Sequence, residues 1–212
     1  MIEQDYFMRM VSELGRVLSR IFSLKQQKDF PRAVLEIQTS GKTLLGIDPA
    51  IISSLSAEQL RGLLGTDPAL AVSRAYILGL LLAEEAEIRS MMGEQADMMR
   101  EKSLELLLDA WLDDGKPLAP EHTPRLDALL ERLAGCALPP ELLAKVMAFQ
   151  EINSRFDKAE NALYDILASR PDFAPEALQF YRRLLLKSDE ELGRGNLPRE
   201  EVLEGMAGIK TR

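Results

Sequence analysis

The chain is 212 residues long, 46% hydrophobic and 28% charged, with 26 basic against 34 acidic side chains and a formal charge of -8. This balance excludes intrinsic disorder, and it excludes broad phosphate-driven nucleic-acid binding, because no basic surplus exists to displace counterions. The one cysteine, Cys136, cannot close an internal disulfide, and the most apolar run, Ala75 to Ala83, falls far short of the ~20 residues that cross a bilayer.

Apolar residues recur at helical spacing along almost the whole chain and nowhere alternate as in a half-buried strand, which predicts an all-α fold. A first helix is expected from Gln4 to Leu24, with Phe7, Met10, Leu14, Val17, Ile21 and Leu24 on one stripe. Asp29-Phe30-Pro31 starts a second, which ends near Gly46, and Asp48-Pro49 repeats that signal. Ser56 and Gln59 form a capping box for a short helix closed by Gly65. Asp67-Pro68 opens a long helix running to about Met92, Gly93 breaks it, and another spans Glu94 to Leu112.

The segment Asp113 to Pro124 is rich in proline and reads as a linker. Beyond it, helices are expected at Pro124 to Leu133, Pro139 to Asn153, Phe156 to Ser169 and Pro175 to Lys187. The organisation read from this pattern is one domain over residues 1–188, with a sub-boundary in 113–124. Residues 189–212 read as a partly disordered tail in which at most Pro198 to Met206 is helical.

Two helices joined by a short turn lie within residues 140–173, and their spacing resembles the tetratricopeptide repeat. Phe156-Asp157-Lys158-Ala159 falls where that repeat begins its second helix, Leu163 and Ile166 fall on its packing positions, and Pro171 stands where its closing proline sits. Met147 departs from the pattern, replacing a small residue. Echoes occur at Phe30/Ala33 and at Phe173/Ala177. The resemblance implies antiparallel helical hairpins stacked in a right-handed array. The first ten residues, MIEQDYFMRM, also resemble the start of a family of uncharacterised bacterial helical proteins, which implies a fold and no activity.

Catalytic constellations are missing from the sequence. His122 is the sole histidine, so a multi-histidine metal site cannot be assembled, and nothing orients a Cys136–His122 nucleophile pair. Gly193-Arg194-Gly195-Asn196 follows no strand and reads as a flexible turn. Asp97, Glu101, Glu105 and Asp109 line one helix side and read as a solvated face, with recruitment of a basic partner as the alternative. Met91, Met92, Met98 and Met99 around Gly93 read as packing at an irregular corner, with an adaptable binding surface as the alternative.

Arg9, Arg16 and Arg20, with Lys25 and Lys28 beyond, form a basic strip on the first helix; Phe7 and Phe22 read as core. Peptide-clamping tetratricopeptide domains carry a lysine and an asparagine where this chain has Ala144 and Ala148, so the resemblance implies no clamp on a terminal carboxylate; Lys145, Glu151 and Asn153 offer generic polar contacts.

The expectation is a non-enzymatic cytoplasmic protein- or peptide-binding module without cofactor. Its candidate contacts are Arg9, Arg16, Arg20, Lys145, Glu151 and Asn153, with a homodimer left open. The alternatives are a peripheral membrane protein that uses its basic first helix, and a helical enzyme or small-ligand protein with a pocket near Tyr76 or Trp111.

Overall fold

A computed structural model of the chain describes residues 2–47, 49–52, 54–65, 68–112 and 123–210, and every regular element among them is helical. They fall into two compact units, residues 1–136 and 137–212. The division lies between Cys136 and Ala137 and not in 113–124, most of which lies outside the described residues, as does His122. It follows a helix that the sequence grouped with the second half: residues 123–132 pack on the helix that precedes the linker, so the linker joins parts of one unit.

The first unit begins with α1 (Ile2–Gln26) and α2 (Phe30–Leu45), which pack together as a hairpin. Met10, Leu14, Val17 and Ile21 of α1 are buried at spacings of four, three and four, as one helix face requires. Asp29 caps α2 by accepting from the Arg32 amide at 3.4 Å, and Gly46, at φ 70°, ends it in the left-handed conformation that glycine adopts without steric cost. After α3 (Pro49–Ile52), α4 (Ala57–Leu63) starts on the expected capping box: the Gln59 amide donates to the Ser56 hydroxyl at 3.1 Å, and the Ser56 amide donates to the Gln59 side chain at 2.9 Å.

The centre of this unit is α5 (Pro68–Met91), packed on α6 (Asp97–Leu112) and on α2. Every residue from Ala75 to Leu82 is buried, so α5 is enclosed on all sides and its apolar pattern has no polar face to contrast with. The two helices approach closely at Gly79, whose carbonyl accepts from the Ser103 hydroxyl at 2.7 Å. A Cβ at that position would sit 2.7 Å from Leu107 Cγ. α7 (Thr123–Arg132) lies against α6 through Leu126 and Leu129.

The second unit opens with the hairpin α8 (Pro140–Ile152) and α9 (Phe156–Ser169). Phe156, Ala159 and Leu163 are fully buried and Ile166 nearly so; burying side chains such as Phe, Leu and Ile contributes about 1.5–3 kcal/mol each. Ala159 leaves room for the facing helix, and Pro171 begins a 3₁₀ turn, Pro171–Phe173, that leads into α10 (Ala174–Leu185).

Residues 189–210 differ most from the sequence reading. Residues 189–194 form α11 (Asp189–Arg194) and residues 199–210 form α12 (Arg199–Lys210), which packs on α10. Ser188 and Glu191 make a second capping box, and Leu192, Leu197, Val202 and Ile209 are buried. The Gly193-Arg194-Gly195-Asn196 segment is therefore a fastening and not a flexible turn. The Gly195 carbonyl accepts from the Phe156 and Asp157 amides at 3.0 and 3.2 Å, capping α9, whose own N-cap residue offers no side-chain acceptor. Asn196 donates to the Asp157 carboxylate at 2.9 Å.

Between α9, α10 and α12 lies a polar pair, a buried tyrosine with a half-buried glutamate. The Tyr181 hydroxyl donates to Glu160 at 2.7 Å, and Gly205 of α12 sits against the phenol, where a Cβ would meet its oxygen at 2.4 Å. Burial pushes the Glu160 carboxyl above the usual range, Glu201 and Asp157 add to the rise, and the Tyr181 hydrogen bond opposes it. A raised carboxyl favours the folded state at low pH, and that contribution is lost as pH rises through its elevated native value. Glu160→Gln keeps an acceptor for Tyr181 without the charge. It should raise the melting temperature at pH 7 and do so less at pH 4, as read by thermal unfolding at both.

Candidate functional site

The carboxylate ladder on α6 is divided by its neighbours. Asp97 pairs with Arg100 at 2.6 Å and Asp109 with Arg61 at 2.7 Å, while Glu101 is half-buried, its carboxyl raised by burial and by Glu105. Among the described residues no group of histidine, cysteine and carboxylate side chains is placed to hold a metal. The pairs Arg61 and Asp109 border a cavity of about 440 Å³ floored by Ala71, Ala75 and Ala110, beside the buried Tyr76 and Trp111.

The six sequence-derived contact residues are divided between the two units. Arg9, Arg16 and Arg20 belong to the first unit and Lys145, Glu151 and Asn153 to the second. Arg16 is held by Glu13 at 2.9 Å, Arg20 by Glu36 of α2 at 2.6 Å, and Arg9 is exposed. Glu151 accepts twice from Arg183, at 2.8 and 2.7 Å, Asn153 donates to the Phe149 carbonyl at the end of α8, and Lys145 is half-buried and also engaged.

Phe22 is not core: it is 63% exposed. At about 100° per residue it lies off the buried stripe and about 120–160° from Arg9, Arg16 and Arg20, so aromatic and arginines face different sides of α1. A helix lying on a membrane needs a free apolar face opposite its cations, and the apolar stripe of α1, Met10, Leu14, Val17 and Ile21, is already buried in the fold. The side chain of Phe7 lies outside the described residues. The methionines also depart from the packing reading, since Met91, Met92 and Met98 are exposed around Gly93, with Met98 at 82%.

Phe22 instead forms the lip of a groove between α1, α5 and α7. One part, of about 350 Å³, is lined by Leu18, Ser19, Phe22, Lys25, Glu84 and Arg125. A second, of about 190 Å³, adjoins it at Glu84 and Arg125 and extends along Ala128, Leu129 and Arg132. Lys25 is 14% exposed and donates to Glu84 at 3.1 Å and Glu87 at 2.5 Å. Burial alone would lower the Lys25 ammonium, but the hydrogen bonds and charges of Glu87 and Glu84 outweigh it and hold the group above the usual lysine value.

The arginines of α7 are less committed. Arg125 stands 3.9 Å from Glu84, beyond hydrogen-bond reach, and Arg132 makes no ion pair among the described residues. By helical projection Arg125, Ala128 and Arg132 share one stripe, and Asp127 and Glu131 fall about 100–160° from the two arginines. The seven-residue spacing of the two arginines and the offset of Phe22 from Ile21 are the sequence signals that mark this groove.

Every regular element among the described residues is helical, and the first unit carries an aromatic-lipped groove. The chain belongs to a family of unknown function, DUF6483, whose profile matches residues 1–212. No curated protein and no solved structure matches it. No helix among the described residues is long and apolar enough to cross a membrane.

Proposed function

We propose that the protein is a non-enzymatic interaction module of the cytoplasm, built of tetratricopeptide-like hairpins, that binds a polypeptide segment in the α1/α5/α7 groove. The observation that carries this reading is Phe22: a large aromatic 63% exposed at the lip of a groove whose other wall is arginine. Aromatic and arginine side chains are the residues that dominate protein–protein contacts when desolvated. The α8–α9 hairpin, with Ala159 and Phe156 buried and Pro171 closing it, supports the repeat-like architecture.

Phe22→Ser separates binding from folding. Exposed as it is, the substitution should change stability by no more than about 0.5 kcal/mol. Polypeptides that co-purify with the wild-type chain from its host should fall at least about tenfold with the variant, the equivalent of ~1.4 kcal/mol. Identical co-purification profiles, or nothing retained by either chain, would remove the reading.

A further inference from the structure

We infer that the occupant of the groove is an acidic amphipathic segment, a short helix that sets an apolar side chain on Phe22 and Leu18 and carboxylates on Arg125 and Arg132; this rests on the reading above. The argument is charge complementarity. The protein carries a formal charge of -8, yet this groove holds the reverse balance. Arg100 is taken by Asp97 and by the Ser90 hydroxyl, while Glu84 and Glu87 are both bonded to Lys25. One lysine ammonium cannot neutralise two carboxylates, so Arg125, 3.9 Å from Glu84, offsets part of that pair and Arg132 is left without an ion pair among the described residues; the groove keeps a net positive charge on a protein of net negative charge.

The geometry narrows the segment further. Seven residues along α7 separate the two guanidinium stems by about 10.5 Å, so a partner helix alongside meets them with carboxylates seven residues apart, whereas same-face side chains of an extended partner recur at about 6.6 or 13 Å and miss that spacing. Ala128 between the arginines keeps the wall low, and Leu129 continues the apolar floor. A basic or neutral segment would leave both guanidinium groups desolvated without acceptors, which disfavours it by more than the lost attraction alone.

The test is selection of random peptides of about fifteen residues, four helical turns, on the immobilised full chain and on an Arg125→Glu/Arg132→Glu double variant whose circular dichroism and melting match the wild type. Peptides enriched on the wild type should be acidic around one or two bulky apolar residues. They should weaken as salt is raised, and they should bind the double variant at least about tenfold less, ~1.4 kcal/mol. An enriched pool without acidic bias, or one shared by both proteins, overturns the acidic assignment while leaving a binding groove in place. No enrichment on either protein overturns both. A wild-type dimer that the double variant abolishes, read by sedimentation, would assign the groove to a second copy and also overturn the peptide assignment.

Discussion

Gly195→Ala is expected to destabilise the second unit by about 2–4 kcal/mol, the cost of overpacking a filled site plus part of two amide hydrogen bonds. The added Cβ would lie 2.2 Å from Phe156 Cδ2 and 2.8 Å from the Ser154 carbonyl. Neither can move cheaply: Phe156 is fully buried and Ser154 is backbone in a tight turn at φ 56°. Relief requires withdrawing residue 195 from the α9 N-terminus, and the Phe156 and Asp157 amides then lose their common acceptor. Urea unfolding followed by far-ultraviolet circular dichroism measures this. A loss below about 0.5 kcal/mol, the size of an ordinary surface change, would mean that residues 193–196 do not fasten α9.

Gly79→Val should cost the first unit a similar ~2–4 kcal/mol through overpacking at the α5/α6 contact. Its Cβ alone would lie 2.7 and 2.9 Å from two Leu107 carbons and 3.3 Å from the Ser103 carbonyl, and the two methyls of valine reach further. Separation of the helices would also break the bond from the Ser103 hydroxyl to the Gly79 carbonyl. The midpoint of the denaturation curve should fall with its slope unchanged. A full-strength transition at the wild-type midpoint would show that α6 shifts aside freely and that the close approach is not a determinant of the core.

The parts of this fold that could be read in the sequence are those specified by local chemistry. Asp29, Ser56 with Gln59, and Gly46 place helix ends through hydrogen bonds and backbone angles that involve only near neighbours. α9 begins at Phe156 and ends at Ser169 as its aromatic and proline imply. α11 carries the same kind of signal in Ser188 and Glu191, but it is six residues long with one buried side chain, too short to show a period. The fastening role of Gly195 could not be read locally, because the amides it serves are 38 and 39 residues away in sequence.

The groove was less legible for a related reason. Periodicity identifies the stripe of α1 that packs, through Met10, Leu14, Val17 and Ile21, but does not say whether another helix covers the flank where Phe22 stands. Methionine at an irregular corner suits packing and exposure equally, so Met98 could be placed only by the structure. Likewise Glu151 and Asn153 had no visible partner in sequence, and the structure joins them to Arg183 and to the end of α8.

Arg125 and Arg132 are guanidinium groups, and Lys25 is held above its ordinary value of 10.5 by Glu87 and Glu84 against the effect of burial. The stabilisation from Lys25 is complete below the unfolded lysine value and is lost only as pH rises through the higher folded one. Binding in the groove should therefore respond to ionic strength and hardly at all to pH between 6 and 8.

The most direct measurement is a photo-crosslinking scan of the full chain in its host. A benzophenone side chain is placed in turn at Ser19 and Ala128 in the groove, at Met98 in the exposed methionine turn, and at Leu186 on the second unit. Discrete polypeptide adducts at positions 19 and 128, lost on Phe22→Ser, are the predicted result. Adducts at 98 or 186 with none at the two groove positions would contradict the account.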